Sequence, residues 1–191
     1  MSVQHSVKSK VTRGRNGSVY TRQSFADLGS SAAVSKALAR LAERGTLERI
    51  GQGIYVKPRH HPLLGRVLPG ADEVVSQLVR QRGGQVQPHG AELARRLGLS
   101  TQMPLRPVFE GSAGQRTLHL GKLEVSMRRA PRSLKALLGR PAGEALSALR
   151  FLGQAGVTRE AITTLRRHLG DEEFAVLQAH APQGWLREYL R

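Results

Sequence analysis

Val34, Ala37, Leu38 and Leu41 recur at the i, i+3, i+4, i+7 spacing of a helix with one buried stripe. Gly29 with Ser30 or Ser31 as cap precedes the run, and Gly45 ends it near Arg44. The other face carries Ala32, Ser35, Lys36, Ala39, Arg40 and Glu43, a set of small and basic side chains. Around this helix the chain is punctuated in a particular order. Val3, Val7 and Val11 recur every four residues and predict a helix over 2–12, Ser18-Val19-Tyr20 has strand composition, and Thr21 can cap a short helix over Arg22–Leu28. After the long helix, residues 46–50 and 54–57 are β-prone runs around Gly51-Gln52-Gly53, which suits a hairpin tip, and Pro58 closes the unit. Helix, strand, helix, turn, helix and hairpin is the order of a winged helix-turn-helix.

The charge balance says what such a unit faces. The 191 residues carry 30 Lys+Arg against 14 Asp+Glu, a formal +16, so an acidic partner is favoured and nucleic acid fits best. The net charge falls along the chain, from +8 in residues 1–60 to +5 in 61–130 and +3 in 131–191. The excess is therefore densest where the helix-turn-helix pattern lies. On this reading Ser31, Ala32, Ser35, Lys36 and Arg40 enter a major groove, Arg44 reaches the backbone or a guanine, and Arg22, Gln23, Arg49, Gln52 and Lys57 hold phosphates. An amphipathic surface helix shows the same polar face without touching DNA, and winged helices also serve as protein-binding modules.

The run Gly45-Thr-Leu-Glu-Arg-Ile-Gly-Gln-Gly-Ile-Tyr-Val-Lys-Pro58, preceded by the Val34–Leu41 helix, resembles the N-terminal domain of AbiEi-type antitoxins of type IV toxin–antitoxin systems. Gly98-Leu-Ser-Thr-Gln-Met-Pro104 and Arg116-Thr-Leu-His-Leu-Gly121 are similar to that family's middle region, so the resemblance covers roughly residues 5–130. It implies a winged helix that binds and represses the promoter of its own operon. It further implies a remaining domain that supports repression and counteracts a nucleotidyltransferase-like toxin encoded alongside. Two other readings stay open: a solitary winged-helix regulator without a toxin, and an adaptor that binds nucleic acid without sequence preference.

The rest of the chain reads as mainly α with small β. Residues 61–70, with His60, His61 and the prolines from Pro62 to Pro69, read as a linker between a 1–60 DNA-binding domain and an α+β domain over 71–132. Helices are expected over 71–82 and 90–97, and strands over 107–110, 116–120 and 123–129, forming a small antiparallel sheet. Gly84-Gln-Val-Gln-Pro-His faintly echoes the segment before the short N-terminal helix, and Gly111–Gly114 reads as a hairpin loop. Arg128, Arg129 and Arg132 form a candidate second basic patch. Residues 133–191 carry helical apolar spacing in several pieces, with Thr158-Arg-Glu-Ala and Asp171-Glu-Glu-Phe as helix starts.

Catalytic chemistry finds no foothold. There is no cysteine, hence no thiolate site or disulfide, and the seven histidines are scattered without a zinc-binding pair at i, i+4. No P-loop or Gly-x-Ser-x-Gly elbow occurs. The expectation is a non-enzymatic, cofactor-free, metal-free cytoplasmic protein, with no membrane span and no signal peptide.

Overall fold

A computed structural model describes residues 2–112 and 114–191, which leaves Ala113 of the Gly111–Gly114 loop outside the described residues. The chain is mixed α/β, with 51% of it helical and three small sheets among the described residues. It divides into two units, one made of residues 1–83 and 117–125, the other of 84–116 and 126–191.

In the first unit, α1 (Val3–Arg13) starts at a Ser2 cap and buries Val7 and Val11. After β1 (Val19–Thr21) and a 3-10 helix (Arg22–Leu28), Gly29 turns the chain at φ +150° directly under Val3. A Cβ at Gly29 would lie 2.6 Å from that valine, so both the dihedral and the space ask for glycine. α2 (Ser31–Glu43) then buries Val34, Ala37, Leu38 and Leu41 against Val7, Val11, Phe25, Leu47 and Tyr55. β2 (Glu48–Gly51) and β3 (Ile54–Val56) form the hairpin, and β3 lies between β1 and β2.

The segment 61–70 corrects the linker expectation. β4 (Arg59–His61) and β5 (Gly65–Val67) pair antiparallel as a hairpin of their own. Proline and glycine density marks chain breaks in a one-dimensional reading, but here Pro62 and Gly65 flank a turn between strands. Nor does the unit end near 60. α3 (Ala71–Arg80) packs on β1, whose outer edge would otherwise expose bare backbone groups. Gln77 Oε1 accepts from Val19 N (3.0 Å), Gln77 Nε2 donates to Gly17 O (3.1 Å), and Gln81 Nε2 donates to Val19 O (2.7 Å). Two glutamines thus stand in for a missing strand, and the division falls after Gly83.

In the second unit, β6 (Val86–Pro88) leads into α4 (Gly90–Arg96), followed later by β7 (Val108–Gly111). β8 (Arg116–Leu120) and β9 (Leu123–Arg129), of which residues 117–125 are grouped with the first unit, complete a sheet of order β6-β7-β9-β8. β6 and β7 are antiparallel, but β7 and β9 run parallel, so this sheet is mixed rather than wholly antiparallel. The reason is topological. β8 takes the far edge and β9 returns between it and β7, so β7 and β8 are not neighbours in the sheet.

A 3-10 helix (Arg132–Leu137), α5 (Pro141–Gly156), α6 (Arg159–His180) and α7 (Trp185–Tyr189) form the helical tail. α5 breaks at Gly153 and α6 at Gly170, just before Asp171, as the separate apolar runs anticipated. Leu93, Leu134, Leu137, Leu146, Leu149, Leu165 and Leu177 make the core. Buried polar ties are few: Ser147 Oγ donates to Glu110 Oε2 (3.1 Å) and Gln87 Nε2 to Gly143 O (3.3 Å). No helix among the described residues is long and apolar enough to cross a membrane.

Two predictions test this packing. A Cβ at Gly14 would sit 1.9 Å from the Tyr20 hydroxyl, so Gly14→Ala destabilises by about 1–3 kcal/mol in thermal unfolding, and adding Tyr20→Phe restores most of the loss. On α4, Glu92 accepts from Arg95 (2.8 and 2.9 Å) and from Arg96 (2.7 Å), which holds its carboxyl down to about 2, below its ordinary 4.5. A lowered carboxyl stabilises the fold above the unfolded value and ceases to do so as pH falls through about 2. Glu92→Gln therefore costs about 1 kcal/mol at neutral pH, the half-exposed guanidiniums being screened by solvent, and its deficit in chemical unfolding shrinks steadily between pH 5 and pH 2.

Candidate nucleic-acid interface

Burial of one side of α2 dictates what the other side presents. Ser31, Ala32, Lys36, Arg40, Glu43 and Arg44 are exposed and Ser35 is half-buried, so the small and basic side chains share one outward surface. Ser30 caps the helix by accepting from Ala33 N (3.3 Å) and no acid stands in the first turn, which leaves the positive helix end uncompensated. Lys36 and Arg44 belong to no ion pair among the described residues, and the Arg40 guanidinium rests on Gln4 of α1 rather than on an acid.

The residues expected to flank this surface divide into three groups. Arg22 and Gln23 are exposed at the start of the 3-10 helix, and Arg22 Nη1 donates to Ser31 Oγ (3.2 Å) at the mouth of α2. The β2–β3 tip comes to the same end, since a Cβ at Gly53 would lie 3.9 Å from Arg22 Nε. Gln52 at that tip and Arg49, whose Nε donates to Gly51 O (3.3 Å), are both exposed. Arg22, Ser31 and the hairpin tip are thus brought together at the N-terminal end of α2. Arg128, Arg129 and Arg132 are also exposed, but they belong to the second unit.

Lys57 is a correction. Its ammonium donates to the carbonyls of Val11 (3.1 Å), Thr12 (2.9 Å) and Gly14 (2.8 Å) and so caps the C-terminal end of α1. Three donors on three acceptors leave nothing for a phosphate. Its placement beside a hairpin suggested a surface role, but its partners lie more than forty residues upstream, where no local pattern reveals them.

Two features have no signature in the local sequence pattern of apolar periodicity. Gln4 supports Arg40, and the β4–β5 hairpin carries Leu63 and Leu64 outward. The signal that marks the second is the pair Leu63-Leu64 within the Pro62–Gly65 turn, flanked by Arg59-His60-His61 and Arg66. Among the described residues no group of three or more His, Asp or Glu is placed to hold a metal ion.

Residues 6–176 match the family of unknown function DUF6088, and the chain belongs to that family. The match runs through both units. No curated protein matches the chain.

Lys57→Met removes three hydrogen bonds and leaves helix carbonyls exposed, so it lowers stability by about 1–3 kcal/mol in denaturant unfolding.

Proposed function

We propose that this member of the DUF6088 family is a sequence-specific DNA-binding regulator, with its N-terminal unit acting as a winged helix-turn-helix. α2 is the recognition helix and the β2–β3 hairpin is the wing. The observation that carries this reading is the outward face of α2, where Ser31, Ala32, Ser35, Lys36 and Arg40 stand together, the two cations in no ion pair with an acid among the described residues. Small side chains let a helix sit deep in a major groove, and hydroxyl, ammonium and guanidinium groups reach base edges and phosphates there. Arg22, Gln23, Arg49 and Gln52 then hold the backbone at the N-terminal end of the helix, and Arg44 does so at the other end.

The resemblance to AbiEi-type antitoxins supplies the biological setting of the proposal. The protein represses its own operon in the cytoplasm and counteracts a nucleotidyltransferase-like toxin encoded beside it. The second unit and the patch of Arg128, Arg129 and Arg132 are the surfaces left for that partner or for further DNA contact.

Titration of the protein onto its own promoter and onto a scrambled duplex, at two salt concentrations, tests the reading. The expected result is a preference of about a thousandfold or more for the promoter, weakening with salt. Lys36→Ala with Arg40→Ala costs about 2–4 kcal/mol of promoter affinity and lowers the salt slope by about two charges. Equal affinity for both duplexes overturns it and leaves only a general polyanion surface.

A further inference from the structure

The β4–β5 hairpin is a short ribbon with an apolar tip. Arg59 pairs with Val67, His60 with Arg66 and His61 with Gly65, and the loop between them is Pro62-Leu63-Leu64. Leu63 is 89% exposed and Leu64 72% exposed, in a segment where residues 57–70 contain no acid at all. Two adjacent leucines in water are unfavourable unless something covers them.

The tip has a fixed shape. His61 Nδ1 accepts from the backbone of both Leu63 (3.2 Å) and Leu64 (3.3 Å), so one ring nitrogen ties down the turn that carries both leucines. The root is anchored as well. Arg59 pairs with Glu73 of α3 and packs over Gly17, while Arg66 donates to Leu47 O (3.2 Å) and Glu48 Oε2 (3.0 Å). Arg66 also lies 3.3 Å from where a Cβ of Gly45 would be, which puts the ribbon's root at the C-terminal end of α2. The β2–β3 tip lies at the opposite end, beside Arg22 and Ser31.

We propose that this hairpin is a second DNA element, an arm that enters the minor groove beside the segment read by α2 and seats Leu63 and Leu64 against base steps. The inference rests on the DNA-binding reading and extends it. A two-stranded ribbon is wider than an undeformed minor groove of about 6 Å, so it enters as the apolar wedge at its tip unstacks and bends the duplex and opens that groove, and its exposed His60 and the remaining donors of Arg59 and Arg66 then meet the phosphate walls. Charge complementarity selects this partner: residues 57–70 hold Lys57, Arg59 and Arg66 and no carboxylate, and the acids that pair with the two arginines, Glu73 and Glu48, stand at the root, away from the leucine tip.

The test uses the full-length protein and promoter DNA carrying 2-aminopurine at successive steps. Leu63→Ser with Leu64→Ser removes no charge, so affinity falls about tenfold while the salt slope stays at its wild-type value. The 2-aminopurine enhancement and the bend measured by permuted fragments disappear, with the melting temperature unchanged. His61→Ala follows the leucine variant. His61→Asn, whose carbonyl can accept from the amide two residues on, restores the signal. Wild-type affinity, fluorescence and bend in the leucine variant overturn the arm while leaving α2 as the reader, provided Lys36→Ala with Arg40→Ala still weakens binding. A leucine variant that instead loses binding to anionic phosphatidylserine vesicles, or that dissociates a wild-type dimer, with DNA affinity intact, also overturns it in favour of a membrane or a second copy. If the wild type prefers no duplex and the α2 variant changes nothing, the DNA-binding reading falls and takes the arm with it.

Discussion

Val34, Ala37, Leu38 and Leu41 packed on Val7, Val11 and Phe25 are the contact from which the first unit is organised. Burying that stripe fixes the rotation of α2 about its own axis, and rotation alone decides which residues remain outside. A helix turned by one residue, about 100°, would bring Lys36 toward the core and Val34 toward solvent. The same packing requires α1 to end where it does. Lys57 reaches back from the end of β3 and saturates the last carbonyls of α1, so the hairpin and the first helix hold each other in place. The exposed surface of α2 is thus a by-product of apolar burial that no surface residue had to enforce.

Charge plays the complementary part. In the first unit the acids are few and mostly committed: Asp27 to Lys10, Glu73 to Arg59 and Glu48 to Arg66. Each of these pairs is partly exposed and contributes little to stability. Their effect is on placement. They draw carboxylates to the flanks and to the root of the second hairpin, and the face of α2 keeps Glu43 as its one acid, at the last turn. A negative charge there sits beside the C-terminal end of the helix dipole, where it is least welcome to the helix, and opposite to the end where Arg22, Ser31 and the β2–β3 tip gather.

Periodic elements were legible in the residues because their cause is local. Valines every four residues gave α1, the i, i+3, i+4, i+7 stripe gave α2, and Gly51-Gln52-Gly53 gave the hairpin, each within a residue or two of its observed ends. What local patterns hide is the distant partner. Lys57 looked like a surface cation, since nothing near it announces the carbonyls of residues 11, 12 and 14. A division near residue 60 fails for the same reason: Gln77 on α3 and Gln81 at its C-cap reveal their partners only once β1 lies beside them with an unpaired edge. The parallel pairing of β7 with β9 depends on strand order, which alternation within a single strand does not encode. Of the candidate site, the α2 residues and Arg22 were readable from amphipathicity and capping, whereas the β4–β5 hairpin was masked by the very prolines and glycine that shape its turn.

Residues 117–125 are grouped with the first unit although they lie well inside the stretch of chain that builds the second. Leu118 is fully buried and reaches Gly51 of the first hairpin, so that unit is discontinuous in sequence. During synthesis from the N-terminus, α1 to α3 emerge as a nearly sufficient but unfinished assembly, lacking one piece of its core until the β8–β9 turn has left the ribosome. The nascent chain must therefore hold apolar surface around β2 open for some thirty further residues, a delay estimated at seconds at ordinary elongation rates. Completion of the N-terminal unit is in this way made conditional on successful synthesis of most of the chain.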